Sequence, residues 1–433
     1  MLENYFDRMQ LWKFFYNIFV VPLLWITFHI GKFINLKIRK GIEGRTNLFL
    51  NLEKSINQLP GSKLLWFHAS SLGEFEQAKP IISAVRKSYP EINIVATFFS
   101  PSGYEYSKNY KLTNVISYIP FDSQSNAKKF IDLVQPSVAI MVRYDIWPNF
   151  IWTLNERKIP LFIANATMQE NSLRKLPLVK QFHKALYNSF THILAVSTSD
   201  YNSFKDFGTE KPIISAIGDT RFDQVMMRIN DAQSKQLLFP SLTKGKKVFI
   251  VGQSWGEDEE VILPVIFKLQ EQEKNLLTII VPHEPTVEHL EQLEYELEDK
   301  TSFIRFSEMN NYKGEKVILI DSVGVLVALY KYAHVVYIGG SFKQGIHNVL
   351  EPAVFAVPVI YGPKHTNSQE AVELAKRGGG FVIHDDKELY RVLRQLLDNS
   401  ATRKQAGVVS EAFVRENSGA TDRFLHYLEP YLK

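Results

Sequence analysis

The sequence contains no cysteine among its 433 residues. Disulfide bonds, a thiolate nucleophile and sulfur-ligated zinc or iron–sulfur sites are therefore excluded. Neither charge is in large excess, because 50 Lys and Arg residues face 46 Asp and Glu residues. This balance does not predict a nucleic-acid-binding protein. A convincing Asp-x-Asp motif is also missing, so we expect no metal site and no cofactor. Oxygen and nitrogen groups must then carry any chemistry.

The length and the apolar content predict two folded domains. Domains usually contain roughly 100 to 200 residues, so 433 residues exceed the size of one. Hydrophobic residues make up 45% of the chain and charged residues 22%. This composition supplies enough apolar surface for complete cores and excludes a disordered or fibrous protein.

One apolar run, Phe14–Ile30, is long enough for a membrane anchor. It lies at the short end of the roughly 17 to 25 residues that span a bilayer. Trp12, Tyr16 and Trp25 are aromatics of the kind found at headgroup depth. No small-residue cleavage site follows, so we expect an uncleaved anchor whose removal preserves the fold. A buried hairpin or an interfacial helix is the alternative.

Basic residues follow this run directly. Glu43 and Glu53 are the acidic residues of the stretch 32–63, whereas the basic ones are Lys32, Lys37, Arg39, Lys40, Arg45, Lys54 and Lys63. Positive charge next to an anchor marks the cytoplasmic side. We therefore expect the rest of the chain in the cytoplasm, beside anionic lipids.

After this segment, short runs rich in Val, Ile and Phe alternate with longer amphipathic stretches. Strands followed by helices, in two series, predict an α/β protein with two Rossmann-like domains. The first series of predicted strands is Leu64–His68, Ile92–Phe98, Val115–Ile119, Val138–Val142, Leu161–Ala164, His192–Val196 and Ile213–Ile217. The second is Lys247–Gly252, Leu276–Val281, Ser302–Phe306, Val317–Ile320, Val335–Ile338, Val357–Tyr361 and Gly380–Ile383.

These series set the expected domain boundaries. Residues 1–35 are assigned to the anchor, 36–222 to the first domain, 223–246 to a polar linker and 247–409 to the second domain. The helix predicted at 410–433 is expected, by analogy with other two-domain folds, to cross back to the first domain.

A short polar loop follows the first predicted strand. It contains Ser70, Ser71 and Gly73, and a helix is expected to begin near Glu74. Ligands of open parallel sheets bind beyond the carboxyl ends of strands, and helix N-termini suit anions. A carboxylate placed there can act as a general base. The alternative is that Glu74 merely complements the helix dipole; His68 is expected to be a buried, hydrogen-bonded strand residue.

Charged residues also follow the fourth predicted strand. Arg143 can bind a phosphate, and Asp145 can orient it or a hydroxyl group. Alternatively, Trp147 and Pro148 only pack the start of the next helix.

The most specific motif runs from Gly339 to Pro352. Two adjacent glycines, Gly339 and Gly340, allow a ligand to approach the backbone, and a helix is expected to start near Asn348. Glu351 can accept hydrogen bonds from both hydroxyls of a ribose. The alternative is a Gly-rich turn with a helix cap.

Together these motifs resemble the Kdo transferases, glycosyltransferases of 3-deoxy-D-manno-oct-2-ulosonic acid. The similarity covers nearly the whole chain. Besides the anchor, it includes His68–Glu74, Trp147–Asn149, Asn165-Ala, Gly218–Asp223, Val281-Pro282, Asp321–Gly324, Gly339–Ser341, His347-Asn348, Glu351-Pro352 and Gly362-Pro363.

The resemblance implies a GT-B fold, with an acceptor domain and a donor domain facing a central cleft. It implies inverting transfer of Kdo from CMP-Kdo to lipid IVA at the cytoplasmic face of the bacterial inner membrane. By similarity Glu74 is the catalytic base. The implied donor-binding residues are Gly339, Gly340, Ser341, Asn348, Glu351, His283 and Ser322, and the implied acceptor or sugar contacts are Ser70, Ser71, Gly73, Arg143 and Asp145.

Some positions depart from the family pattern. His283 stands where an arginine is usual, and Trp255 stands where a histidine is usual. Lys343 or Lys364 is a candidate replacement for the lost positive charge. Two other functions stay open at this point: a GT-B enzyme that transfers a UDP-sugar to a membrane lipid, and a non-catalytic membrane scaffold.

Overall fold

The computed structural model describes residues 2–61 and 63–433; the side chains of residues 2–8 and of Asn230 are outside that description. The chain forms two compact units. The first comprises Met1–Gln224 and Ser418–Lys433, and the second comprises Val225–Asn417.

From residue 64 to residue 234, strands alternate regularly with helices. In chain order the elements up to residue 234 are α1 (Leu2–Phe15), a π-helical turn (Tyr16–Val20), α2 (Val21–Gly31), α3 (Leu36–Glu43), α4 (Leu48–Ile56), β1 (Leu64–Ala69), α5 (Leu72–Ser88), β2 (Asn93–Phe98), α6 (Pro101–Ser107), β3 (Val115–Tyr118), α7 (Gln124–Val134), β4 (Val138–Val142), α8 (Pro148–Glu156), β5 (Leu161–Ala166), a 3₁₀ turn (Leu173–Lys175), α9 (Pro177–Tyr187), β6 (His192–Ala195), α10 (Thr198–Lys205), β7 (Ile213–Ala216) and α11 (Thr220–Ser234).

The remaining elements repeat this alternation. They are α12 (Pro240–Thr243), β8 (Lys247–Ser254), α13 (Gly256–Gln272), β9 (Leu276–Pro282), α14 (Val287–Leu297), β10 (Phe303–Arg305), a 3₁₀ turn (Phe306–Asn311), β11 (Val317–Leu319), α15 (Leu326–Leu329), a 3₁₀ turn (Tyr330–Tyr332), β12 (Val335–Ile338), α16 (Leu350–Ala353), β13 (Val359–Tyr361), α17 (Gln369–Arg377), β14 (Gly380–Val382), α18 (Asp386–Asp398), α19 (Ser400–Asn417), α20 (Ala420–Leu428) and a final 3₁₀ turn (Glu429–Tyr431).

Each unit contains one seven-stranded parallel sheet. The strand order is β3-β2-β1-β4-β5-β6-β7 in the first and β10-β11-β9-β8-β12-β13-β14 in the second. Every strand pairs in parallel with its neighbours. All strands predicted from the sequence are present, so the prediction of two Rossmann-like α/β domains is confirmed.

The first sheet is buried on both faces, as expected for parallel strands covered by helices. Successive residues of β1 point to opposite faces: Trp66 packs with Phe130 and Phe150, whereas Phe67 lies in the layer that contains Phe424 of α20. Residues 418–433 therefore complete the core of the first unit. The preceding helix α19 belongs to the second unit.

Serine side chains begin several helices at the carboxyl edge of the first sheet. Ser71, Ser100, Ser123 and Ser197 precede α5, α6, α7 and α10, and each accepts a hydrogen bond from a backbone N–H of the first helical turn. Such caps satisfy N–H groups that the helix itself leaves unpaired. They fix where each loop at this edge ends.

The helices α1 and α2 and the π-helical turn between them form one continuous segment, called the N-terminal helix below. It packs against the rest of the first unit through one of its faces. Met9 and Tyr16 are buried in the unit's core, and Tyr16 donates a 2.8 Å hydrogen bond to Asp122. Asn17 and Asn149 exchange hydrogen bonds of 3.0 Å. These contacts argue against the expectation that the segment can be removed without affecting the fold, because removal would leave buried polar groups unpaired.

Candidate functional site

Two loops of the first unit meet at the carboxyl edge of its sheet. Strands β1 and β4 are neighbours, and His68 is in register with Met141. The residues that follow the two strands therefore lie side by side. This pairing brings Ser70, Ser71 and Glu74 together with Asp145.

Glu74 and Ser71 form a capping box at the start of α5. The Ser71 N–H donates to Oε2 of Glu74 at 3.1 Å, and the Glu74 N–H donates to Oγ of Ser71 at 3.4 Å. Glu74 is buried, and burial raises its pKa; the negative charge of Asp145 raises the pKa further. The cap fixes the orientation of a carboxylate whose proton affinity is increased, as a general base requires.

Asp145 accepts several hydrogen bonds on one oxygen, Oδ2. Nε2 of His68 lies 2.8 Å away, Nε1 of Trp147 donates at 3.1 Å, and the Ser70 hydroxyl also donates to this atom. Burial favours a raised pKa for Asp145, but these hydrogen bonds and the nearby His68 outweigh it and lower the pKa. Asp145 is therefore held as an anion.

His68 connects Asp145 to the interior of the sheet. Its ring is fully buried, and Nδ1 lies 2.9 Å from Oγ1 of Thr97, which itself accepts a 2.8 Å hydrogen bond from Trp66 Nε1. Nε2 faces two groups at once: Oδ2 of Asp145 lies 2.8 Å away, and the indole Nε1 of Trp147 donates to Nε2 at 3.0 Å. His68 therefore lies at the centre of a hydrogen-bonded group formed by Thr97, Asp145 and Trp147.

The backbone is strained where two strands of this sheet end. Arg143, after β4, has φ 65°, and Asn165, in β5, has φ 51°. Non-glycine residues rarely adopt positive φ, and such strain collects at functional sites. Within the described part of the chain, the buried Nε of Arg143 has no hydrogen-bond partner. A Cβ placed on Gly73 would meet no atom within 4 Å, so the backbone there is open to a ligand.

The Gly339–Ser341 loop of the second unit is held by buried contacts. The Gly340 N–H donates to Asp258 Oδ2 at 2.8 Å, and Ser341 Oγ accepts from the Gly362 N–H at 2.6 Å. Gly340 has φ 92°. The loop therefore uses these groups to keep its shape, and Asp258, which the sequence motifs did not indicate, fixes its start.

Three aromatic rings form a stack at the carboxyl ends of β8 and β9. The ring of His283 lies 4.6 Å from that of Trp255 and 4.4 Å from that of His347. Trp255 Nε1 donates to His347 Nε2 at 3.0 Å, so the proton of the neutral imidazole is on Nδ1. Burial, with a smaller effect of His283, lowers the pKa of His347 to about 4.

Positive charge lies on the same stack. The ammonium group of Lys343 lies 4.2 Å from the centre of the Trp255 ring and 3.4 Å from a carboxylate oxygen of Glu257. Lys364 instead donates to the carbonyl groups of Phe342 and Lys343. Of the two lysines considered as replacements for the missing arginine, Lys343 is the one on the stack.

The other expected donor-binding side chains lie in nearby loops of the second unit. Asn348 Oδ1 accepts from the Leu350 N–H at 3.0 Å, and Glu351 is paired with Arg228 of α11. Among the described residues, Ser322 Oγ and His283 Nδ1 are buried polar atoms without a hydrogen-bond partner. Such groups are usually satisfied, so a ligand is a reasonable partner for them.

Comparison with known proteins shows which proteins this chain is similar to. Residues 43–224 match the family model of 3-deoxy-D-manno-octulosonic-acid transferase (kdotransferase). A 3-deoxy-D-manno-octulosonic acid transferase of Haemophilus influenzae is 29% identical over 98% of this chain and 99% of its own. One from Chlamydophila psittaci is 26% identical over 98% of both chains. The chain is thus similar to Kdo transferases along nearly its whole length.

The two-sheet fold also has solved neighbours. The structure of UDP-GlcNAc 2-epimerase from Neisseria meningitidis aligns with 85% of this chain and all of its own, with a TM-score of 0.60 and 14% identity. At this identity the likeness concerns the fold alone. It agrees with the GT-B-like arrangement of two parallel sheets and confirms the predicted fold class.

The sequence motifs pointed to part of each candidate site. Glu74 and Asp145 were expected at one sheet edge and are found there, but their functional roles stay predictions. His68 is buried and hydrogen-bonded, as the sequence suggested, although its partner Thr97 was not identified. Within the described part of the chain, no cluster of three or more His, Asp or Glu side chains could hold a metal ion.

Proposed function

We propose that this protein moves Kdo from CMP-Kdo onto a hydroxyl group of lipid IVA. The observation that carries the proposal is the environment of Glu74: a buried carboxylate, oriented by Ser71, beside the anionic Asp145. Such a group is suited to remove the proton of an acceptor hydroxyl. Similarity to Kdo transferases supports Kdo as the transferred sugar.

The transfer is proposed as a single displacement with inversion. Glu74 takes the proton of the acceptor hydroxyl while that oxygen bonds to the anomeric carbon of Kdo. The bond from the anomeric carbon to the phosphate oxygen breaks, and CMP leaves with the electron pair. General base catalysis of this kind typically contributes roughly 100- to 10,000-fold to the rate.

The carboxylate of Kdo requires an anion site. Arg143 supplies a positive charge with an unpaired, buried Nε next to the strand end that carries Asp145. We propose that Arg143 and the open backbone at Gly73 contact the sugar, with Ser70 and Ser71 at the same edge. Asp145, at the same edge, can accept a hydrogen bond from a hydroxyl group of the sugar or the acceptor.

CMP is assigned to the second unit. Ser322 Oγ and His283 Nδ1 are available to it, and the Trp255–His283–His347 stack offers an aromatic surface and N–H donors. Gly339, Gly340, Ser341 and Asn348 shape the adjoining loop. Glu351 is proposed to bind the ribose hydroxyls once its pairing with Arg228 loosens.

The proposal includes a location. The helix Met9–Gly31 is long and apolar enough to attach the enzyme to a membrane. Basic residues follow it, so we propose the cytoplasmic face of the inner membrane, where anionic lipids attract them.

A transfer assay tests the activity. Purified enzyme, lipid IVA in detergent and CMP-Kdo formed in situ should give a lipid product heavier by one or more Kdo units in mass spectrometry. CMP, and not UDP, should raise the melting temperature through preferential binding to the folded state. Excess EDTA should leave the rate unchanged. Stabilisation by UDP alone, with no Kdo product, would favour a UDP-sugar enzyme; no response to either nucleotide would favour a scaffold.

A further inference from the structure

The N-terminal helix contacts the first unit along most of its length. Trp12 and Tyr16 lie 5.5 and 6.2 Å from the ring of Phe182 on α9, and Phe28, near the other end, lies 5.4 Å from Phe121. Between them Asn17 bonds to Asn149 of α8. From residue 9 to residue 28 a helix extends about 28 Å at about 1.5 Å per residue, so the contact is nearly as long as a bilayer's hydrocarbon core is thick, about 30 Å.

These contacts conflict with an orientation in which the N-terminal helix stands perpendicular to the membrane. If the helix crossed a bilayer, the parts of the first unit beside it would enter the hydrocarbon as well. They include the ion pair of Lys13 with Glu156 and the buried Asp122. Ion pairs and irregular loops are not stable against lipid chains. The helix can keep its contacts only if it lies along the membrane surface.

The opposite face of the helix is apolar and exposed. Phe19 and Leu23 have more than 60% of their surface exposed. The further exposed residues of this face are Leu11, Phe14, Phe15, Ile18, Trp25, Ile26 and Ile30. An apolar face of this size on a folded protein marks an interaction surface. We call these residues, together with Leu173, Leu176 and Leu178 before and at the start of α9, the docking face.

A second segment extends the docking face. Leu173, Leu176 and Leu178 are exposed where the chain enters α9. Leu178 precedes Phe182 by one helical turn and so lies on the same side of α9 that contacts the N-terminal helix. Two elements that are distant in the sequence thus present leucines and aromatics at one surface of the first unit.

Charge identifies the occupant of the docking face. Lys32, Lys37, Arg39 and Lys40 follow the helix, and the exposed Phe33, Ile34 and Leu36 lie between them. Basic residues alternating with large apolar ones are typical of segments at the headgroup boundary of anionic bilayers. A protein partner would not explain this combination as directly.

We propose that the enzyme is monotopic: its N-terminal helix lies in the plane of an anionic bilayer and does not span it, and the Leu173–Leu178 segment inserts beside it as a second contact. The inference rests on the cytoplasmic-face location proposed above. It adds an orientation and a second membrane contact.

This orientation places the catalytic edge of the first sheet at the lipid surface. Phe28 of the helix lies 5.5 Å from Phe99, which stacks at 4.7 Å on Trp147, a donor to Asp145. From the other segment, Arg174 donates to the Tyr144 carbonyl at 3.2 Å. An acceptor headgroup therefore reaches Asp145 and its neighbours without leaving the bilayer.

The absence of cysteine allows a direct test of topology. Glu3→Cys places one thiol in α1 ahead of the apolar stretch Met9–Gly31, and Ser125→Cys on α7 serves as the matched control. A membrane-impermeant maleimide should label both variants in inverted inner-membrane vesicles and neither in intact spheroplasts, with labelling in detergent as the total. Labelling of Glu3→Cys in spheroplasts would show a spanning helix and overturn the proposal.

Vesicle flotation tests the second contact. The full-length chain is mixed with vesicles of phosphatidylethanolamine and phosphatidylglycerol. Leu178→Glu and Phe19→Glu should each lower the bound-to-free ratio by about tenfold or more, because each removes an exposed apolar side chain that the bilayer would bury. Ile213→Glu and Tyr295→Glu, at exposed apolar positions outside the docking face, should bind like wild type. Unchanged flotation of Leu178→Glu would refute the second contact.

The two proposals fail in different ways. Phe19, Leu178 and Ile213 lie in the first unit, so circular dichroism and the melting temperature of each variant without ligand show whether it is folded. Stabilisation by CMP reports the second unit and should be equal in all four variants. If Leu178→Glu floats poorly but no variant transfers Kdo in detergent, the docking face stands and the activity is wrong. If transfer in detergent is normal and flotation is unaffected, the activity stands and the docking face is wrong.

Discussion

Nε2 of His68 lies 2.8 Å from Oδ2 of Asp145, and that oxygen also accepts hydrogen bonds from Trp147 and Ser70. The two donors Trp147 and Ser70, together with the adjacent His68, keep the carboxylate ionised although it is mostly buried. The resulting negative charge raises the pKa of Glu74, in addition to the larger effect of burial. The network around His68 thus adjusts the proton affinity of the proposed base.

Asp145→Asn should shift the acid limb of the kcat/KM profile to lower pH. A base must be deprotonated to act, so activity falls as the pH drops through its pKa. Without the Asp145 charge the pKa of Glu74 falls, and the limb moves with it. Glu105→Gln, which removes an exposed charge of the same unit, should leave the limb in place. An unchanged acid limb in Asp145→Asn would show that the charge of Asp145 does not affect the pKa of the base.

Glu74→Gln should abolish most transfer while CMP binding stays normal. The amide preserves the size of the side chain and can still accept from the Ser71 N–H, but it cannot take a proton. We expect kcat to fall roughly 100- to 10,000-fold, with the melting-temperature response to CMP unchanged. Glu76→Gln, two residues further along the same helix and on a different side of it, is the control. Activity of Glu74→Gln within about threefold of wild type would remove Glu74 from the role of base.

Much of the fold could be predicted because its signals are local. Runs such as Val138–Val142 are buried on both faces and read directly as parallel strands, and serines such as Ser71 mark helix starts. The edge that joins Glu74 to Asp145 followed from the rule that parallel strands place their carboxyl ends together. No long-range information was needed for either step.

The remaining features depend on contacts between distant residues. Asp258 holds Gly340 across 82 positions, and Arg228 pairs with Glu351 across 123. Asp258 and Arg228 do not belong to any of the sequence motifs described above. The N-terminal segment was predicted from its hydropathy as an anchor, but hydropathy does not record that Tyr16 and Asn17 find polar partners on the first unit. Its orientation therefore came only from the structure.

The pair formed by Arg228 and Glu351 should control donor affinity. Glu351→Gln should weaken CMP binding by about tenfold or more, since hydrogen bonds to charged groups contribute roughly 1.5 to 3 kcal/mol. If ribose must displace Arg228, then Arg228→Gln should bind CMP at least as tightly as wild type. Isothermal titration of the two single variants and the double variant measures the coupling. Equal affinities in all four proteins would exclude Glu351 from the nucleotide site.

The carboxyl group of Asp122 should make stability depend on pH near neutrality. Burial raises its pKa from 3.8 to about 7, although hydrogen bonds from Tyr16 and Asn149 oppose the shift. A raised folded-state pKa means that the folded protein binds the proton more tightly than the unfolded chain. The contribution is complete below the ordinary pKa of an aspartate and is lost as the pH rises through about 7. The free energy of unfolding should therefore fall between about pH 4 and pH 7, by an amount on the order of 2 to 4 kcal/mol, and change little above that range.

Asp122→Asn should flatten this dependence, because the amide does not titrate, whereas Asp132→Asn, at an exposed position of the same unit, should retain it. Denaturant titrations of the three proteins across this range decide the matter: parallel profiles for Asp122→Asn and wild type would show that the group binding the N-terminal helix is not the one that titrates.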